Sequence, residues 1–231
     1  YDETKANKVI AFIETFCKHS KGRFGGKPFI LELWQKAFIS ALFGIVDKDT
    51  GLRKFNRATL LVPRKNGKSA LASAISLYML VMDDEPGAEI YSVATKRDQA
   101  KIVWDEAKRM IAKSPMLRKQ IKSLVSEIKY QDSTFKPLGR DSDTLDGLNV
   151  HFAIMDEIHA WKDQNLYDVV IDGTSARDNW LVLNISTAGT VRDSVYDTIY
   201  EEGKLHIANI KKYKNDDVEE LFSDMLFIPY E

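Results

Sequence analysis

Cysteine is nearly absent from the 231 residues: Cys17 stands alone. A single thiol excludes an internal disulfide and any cysteine-based zinc cluster; placed in an apolar helical stripe, it reads as a core thiol in a reducing compartment. Proline and glycine are sparse, with six and twelve residues scattered as turns, and nothing resembles a Pro/Ser-rich linker. One domain over residues 1–231 is therefore expected. An excess of either charge is also missing, since 33 basic residues face 34 acidic ones. The chain as a whole does not attract polyanions, so any nucleic-acid contact must be local or shared among subunits. No apolar run approaches the roughly 18 residues that span a bilayer, and no basic-then-apolar secretion signal opens the chain. A soluble, intracellular protein is expected, with its native start upstream of Tyr1.

What is present begins with Val62-Pro63-Arg64-Lys65-Asn66-Gly67-Lys68-Ser69. The apolar run Ala58–Val62 before it reads as a buried strand, and Ala70–Leu80 after it as a helix. Strand, tight loop, Gly-Lys-Ser and helix form the arrangement that cradles a polyphosphate. Loop N–H groups and the positive helix end face the anion, Lys68 neutralises its outer oxygens, and the Ser69 hydroxyl holds a magnesium ion. The usual pattern has a glycine five positions before Gly67, where this chain carries Val62. Taken alone, Gly-Lys-Ser also fits a solvated basic turn.

The rest of the chain alternates strand and helix. Thr4–His19 spaces Val9, Ile10, Ile13, Phe16 and Cys17 as an amphipathic helix, and a second helical stretch runs from Trp34-Gln35 through Phe43. Gln35 offers the donor and acceptor that an adenine edge requires, with Phe29 as a stacking partner; a glutamine at a helix start is equally an ordinary surface residue. Glu89–Thr95 reads as a strand, and Lys96-Arg97-Asp98-Gln99 opens a long helix through Ile111. Lys96 and Arg97 suit a nucleic-acid backbone or plain solvation. Short β pieces at Ile128–Tyr130 and Thr134–Leu138 precede the polar loop Arg140–Gly147.

The strand Val150–Met155 then ends in Asp156-Glu157. Adjacent carboxylates at the end of a buried strand are costly without a cation, whereas beside a triphosphate Asp156 can reach the metal and Glu157 can polarise the attacking water. Their position 88 residues after Lys68, in an α/β chain, favours the phosphate-cradle reading. His159, as neutral imidazole, could pass the nucleotide state to a neighbouring strand. A third strand, Leu181–Ile185, ends in Ser186-Thr187-Ala188-Gly189-Thr190, which suits either coupling of hydrolysis to motion or a helix N-cap. Alternating units of this kind imply a mostly parallel sheet with right-handed crossovers.

Together these stretches resemble the large terminase subunit of tailed bacteriophages. The residues that carry the resemblance are Lys21-Gly22-Arg23-Phe24, Pro28–Leu31 with Trp34-Gln35, Pro63–Ser69, Leu145–Asn149, Met155–Trp161 and Ile185–Thr190. The missing first glycine fits that family's deviant phosphate loop. The resemblance implies a three-layer P-loop NTPase of RecA-like (ASCE) type with a mostly parallel central sheet flanked by helices. It further implies an ATP- and Mg2+-dependent motor that moves double-stranded DNA into a procapsid. Such motors work as a homo-oligomeric ring, commonly a pentamer, on the portal, with a small terminase subunit, in the host cytoplasm.

By the same resemblance Gln35 reads adenine, and Arg64, Lys65, Asn66, Gly67, Lys68 and Ser69 hold the phosphates. Ser69 and Asp156 hold the metal, Glu157 is the base, and Ser186, Thr187 and Ala188 form the coupling segment. An arginine from a neighbouring subunit is expected to complete the site; Arg140 is the candidate, with Arg177 and Arg192 as rivals, because Asp146-Gly147 stands where many relatives carry Arg-Gly. Residues 1–45 are expected to supply N-terminal helices and the adenine-binding segment, and the nuclease domain that follows in relatives is expected to be absent. Two other functions remain open on the residues alone: a helicase-like remodeller, and a nucleotide-gated binding module without turnover.

Overall fold

A computed structural model describes residues 1–140, 147–162, 164–187, 194–212 and 224–229. Two helices open the chain, α1 (Glu3–Phe16) and α2 (Leu33–Gly44). Then follow β1 (Arg57–Leu61), α3 (Lys68–Val81), β2 (Glu89–Ala94), α4 (Arg97–Lys113) and α5 (Pro115–Gln120). Three strands, β3 (Lys122–Ser123), β4 (Ile128–Tyr130) and β5 (Ser133–Gly139), lead to β6 (Val150–Asp156) and α6 (Asn165–Asp172). The chain continues through β7 (Leu181–Ser186) and α7 (Val195–Lys212) to β8 (Met225–Pro229).

The strands form one sheet in the order β3-β4-β5-β2-β6-β7-β1-β8. From β5 to β8 every neighbouring pair is parallel, whereas β3 and β4 pair antiparallel at one edge. The expected α/β three-layer architecture is what the chain adopts. A parallel strand buried on both faces reads as a continuous apolar run, and β6 is buried at all seven positions. Alternate strand residues serve two cores. Ala58, Leu60, Phe152, Ile154, Leu183 and Ile185 pack under α1 to α4, while Leu61, Ala153, Met155 and Val182 pack under α6 and α7.

The first helix is shorter than its apolar pattern suggests. It stops at Phe16, because Cys17 turns extended, its C=O accepts from Phe29 N at 3.0 Å, and Lys18 bridges Pro28. Pairing across the Gly-rich turn thus removes Lys18 and His19 from the helix. Cys17 is buried, as expected of a core thiol, and burial pushes its pKa up to about 12.

Because β5, β2, β6, β7 and β1 run the same way, Gly139, Ala94, Asp156, Ser186 and Leu61 all end at one edge of the sheet. In open α/β sheets the carboxyl edge is where ligands bind. β7 lies between β1 and β6, so it separates the strand that feeds the loop 62–67 from the strand that ends in Asp156.

Candidate active site at the carboxyl edge of the sheet

The loop Val62–Gly67 leaves β1 at this edge and turns into α3 at Lys68. Val62 still pairs, donating its N–H to Ser186 O at 3.0 Å. Lys65 and Gly67 both have positive φ, at 70° and 76°. Glycine adopts that conformation at little cost and lysine does not, so the loop's tightness carries strain at Lys65. Asn66 Nδ2 donates to Pro63 O at 3.2 Å and closes the turn. Gly67 gives the first-turn N–H groups of this 14-residue helix no side-chain cap. A helix end in this condition attracts an anion.

Across β7, the two carboxylates sit where the expectation placed them. Asp156 is the last residue of β6 and only 4 % exposed, and its Oδ1 is buried without a hydrogen-bond partner. Burial raises its pKa to about 6, with Lys68 opposing and Glu157 adding to the shift. Trp161, fully buried, donates its indole N–H to Asp156 O at 3.1 Å and fixes the strand end. Glu157 follows in the left-handed region, at φ 54° and ψ 46°. That turn directs its carboxylate toward the loop: Lys68 Nζ pairs with Glu157 Oε1. The segments at 68 and 157 therefore meet, with α3's open end beside them. An orphaned carboxylate oxygen next to an ammonium and a helix N-terminus is a donor set that fits a divalent cation held with a polyphosphate.

Glu157 is held from its other side as well. His159 Nδ1 lies 3.0 Å from Glu157 Oε2 and 2.8 Å from Ser186 Oγ. Ser186 is fully buried at the end of β7, and its hydroxyl donates to Thr187 O at 2.9 Å. The expected link from His159 to a neighbouring strand is thus made through Ser186. Thr187 is also buried, at 7 % exposure, while Ala188 lies outside the described residues.

Gln35 is brought to the loop but is less open than its sequence position suggests. It is 3 % exposed, and its Oε1 accepts from Glu32 N at 3.0 Å in a capping box at the start of α2. Its Nε2 points toward Gly67, where an added Cβ would lie 3.8 Å away. Phe29 is not an open stacking surface: it is 5 % exposed in the core and meets the His19 ring edge-on at 4.9 Å.

Among the arginines, Arg64 is exposed on the loop, and Arg140 is exposed just past the end of β5. Arg177 is ruled out as a residue reaching a neighbour's phosphates. Its side chain is 7 % exposed and pairs with Glu85 at 2.5 Å, and it donates to Asn149 Oδ1 and Gly87 O at 2.8 Å each, at the opposite edge of the sheet. Arg192 and Asp146 lie outside the described residues. Lys96 and Arg97 are exposed at the start of α4, on the edge that carries the loop.

Sequence reasoning missed one charged cluster at the far end of the same elements. Arg53 Nη1 contacts both Asp83 oxygens at 2.8 Å, and His151 Nε2 reaches Asp83 Oδ2 at 2.8 Å. Asp83 is 30 residues from Arg53 and 68 from His151 in sequence, so no local pattern signals the cluster. No group of three or more His, Cys, Asp or Glu placed to hold a metal by themselves occurs among the described residues, and no described helix is long and apolar enough to cross a membrane.

Comparison with known proteins agrees with this geometry. Residues 33–204 match the family model for the ATPase domain of the terminase large subunit. The chain is 32% identical over 196 residues to the terminase large subunit of Enterobacteria phage HK97, covering 80% of this chain and 37% of that one. It is 27% identical over 167 residues to the terminase large subunit of Lactococcus phage p2, covering 69% of this chain and 31% of that one. The HK97 bacteriophage large terminase crystal structure superposes with a TM-score of 0.80 at 26% identity, over 99% of this chain and 44% of that one. The ATPase domain of the Thermus phage P74-26 large terminase shares the fold, with a TM-score of 0.52 at 18% identity over 75% of this chain and 74% of that one. The chain thus spans well under half the length of the curated relatives it matches. The family match over most of the chain, and a phosphate loop facing paired carboxylates across β7, lead to one assignment: this chain belongs to the terminase large subunit family and carries its ATPase domain.

Proposed function

We propose that the chain hydrolyses ATP and is the motor domain, over residues 1–231, that drives double-stranded DNA into a procapsid. The observation that carries the reading is the meeting of Lys68 with Glu157 beside the unpartnered Oδ1 of Asp156, at the open end of α3. In this reading Arg64, Lys65, Asn66, Gly67, Lys68 and Ser69 bind the phosphates, and Gln35, whose Oε1 is held by Glu32 N, turns its Nε2 beside Gly67 toward the adenine edge. Ser69 and Asp156 would hold a magnesium ion, which when bound supplies positive charge to the outer phosphate oxygens. Lys68 leaves Glu157 for the phosphates, and Glu157 Oε1 then accepts a proton from the water that attacks the outer phosphoryl group.

The charge developing on that group calls for one more cation, and Arg140 of a neighbouring copy is the candidate. The chain then acts as part of a ring, a pentamer on the portal with the small terminase subunit, in the host cytoplasm. Turnover of ATP by the chain, measured as phosphate release, tests the reading. Glu157→Gln keeps the side-chain shape and removes the base, so the rate should fall by about a hundredfold or more. Full turnover in that variant would remove Glu157 from the role.

A further inference from the structure

The contacts of His159 define which of its nitrogens carries a proton. Two acceptors crowd Nδ1: Glu157 Oε2 at 3.0 Å and Ser186 Oγ at 2.8 Å. The serine hydroxyl has one proton, and Thr187 O, at 2.9 Å, is placed to accept it. Its remaining lone pairs face His159, whose backbone N–H also approaches Oγ at 3.4 Å. A bare Nδ1 would turn its single lone pair toward a carboxylate oxygen and a hydroxyl oxygen whose proton is directed elsewhere. A protonated Nδ1 satisfies both acceptors at once.

We infer that His159 is a positioning residue whose Nδ1–H holds Glu157 in place and ties it to the end of β7. The inference rests on the ATPase reading above and adds a task to it. Glu157 is gripped at Oε1 by Lys68 and at Oε2 by His159. A triphosphate draws Lys68 toward its own oxygens, so the first grip is released when substrate binds. The second grip has no such competitor, because Nδ1 is directed at protein atoms. His159 therefore keeps the carboxylate aimed once Lys68 has moved, and any displacement of Glu157 on phosphate release reaches Ser186, Thr187 and β7 through the same imidazole. Glu157 itself sits in the left-handed region, which disfavours a residue with a side chain, so its orientation needs this second support.

Two substitutions separate a donor at Nδ1 from mere bulk. Asparagine places its amide nitrogen where Nδ1 stands, whereas glutamine places it farther out, near Nε2. Phosphate release by His159→Ala and His159→Gln should show kcat reduced by about a hundredfold, the size expected when a reacting group is misplaced by an ångström, with KM for ATP little changed. His159→Asn should recover most of the lost kcat. A second readout needs no substrate: nitrogen-15 spectra of the histidine-labelled chain should show the His159 Nδ1 protonated and Nε2 bare. Equal loss in all three variants, or a bare Nδ1 in the spectra, overturns the inference. Absence of turnover in the unmodified chain would instead count against the ATPase reading, and the spectra would still decide the protonation of His159.

Discussion

Asp156 shows most directly how the site departs from what stability alone favours. A carboxylate with 4 % exposure and an oxygen lacking any partner is destabilising when ionised, which is why its pKa stands at about 6 rather than near the usual value of about 3.9. The sign follows from linkage. The folded form holds the proton more tightly than the unfolded form, so the penalty is absent below the unfolded pKa, grows from about pH 4 to pH 6, and is complete above it. A proton held about a hundredfold more tightly in the folded form corresponds to a penalty of about 3 kcal/mol. Asp156→Asn should therefore raise the stability of the nucleotide-free chain at pH 7 by roughly 2–3 kcal/mol, measured by urea unfolding, and the gain should vanish near pH 4. If the chain binds ATP with magnesium as proposed, the unmodified chain should melt at a higher temperature with them, and the same variant should lose that rise. An unchanged or lower stability at pH 7 would show that Asp156 is partnered after all. At this scale the sequence was informative about which groups matter and silent about how they are aimed. Asp156 and Glu157 could be named from an apolar run ending in two acids, but the aim of Glu157 depends on Ile185, whose carbonyl accepts its N–H at 2.9 Å, and on Lys68, residues brought to it only by folding.

Elements were more legible than contacts, for a physical reason. A strand buried on both faces must be apolar throughout, and a helix covering a sheet must repeat its apolar positions, so β1, β6, β7, α3 and α4 declare themselves within a residue or two of their ends. The end of α1 and the closure of Gln35 into a capping box did not, because long-range pairing from Pro28 and Phe29 and a three-residue side-chain bond decide them. Equally hidden was the cluster that joins the far ends of α3 and β6, the two elements whose near ends carry Lys68 and Asp156. Burial pushes the Asp83 carboxyl up, but the Arg53 guanidinium and the His151 imidazole outweigh it and hold it below the usual carboxylate range. A lowered carboxyl pKa contributes stability that is present above the unfolded value and lost as pH falls through the folded one. Asp83→Asn leaves the Arg53 guanidinium, 4 % exposed, without its counter-charge. Breaking a buried pair from one side typically costs about 3–5 kcal/mol, and that loss should appear in urea unfolding at pH 7 and shrink in acid. A cost within experimental scatter of zero would mean that the cluster does not anchor these elements.

For the whole molecule, the sheet order decides whether one copy can complete its own site. Arg140 leaves β5, and the phosphate loop leaves β1; β2, β6 and β7 lie between them. Four strand spacings of about 4.8 Å put the two strand ends about 19 Å apart, well beyond the reach of an arginine side chain. In a ring of equivalent copies the edge of one subunit can face the phosphate loop of the next, and the arrangement closes without a special subunit. Were Arg140 contributed across such an interface, as proposed, hydrolysis would be cooperative in protein concentration: the rate per chain should rise as copies associate. The decisive measurement mixes two inactive variants. Arg140→Ala retains the loop 62–67, Asp156 and Glu157 but lacks the proposed donated cation, and Glu157→Gln retains Arg140 but lacks the proposed base. Each alone should be slow, by about a thousandfold for the arginine. Mixed, a subunit carrying Arg140→Ala can receive the arginine of a neighbour carrying Glu157→Gln, and phosphate release should reappear above either parent. If mixing restores nothing while both variants associate normally, Arg140 does not act between subunits, and the cation that completes this site comes from another residue.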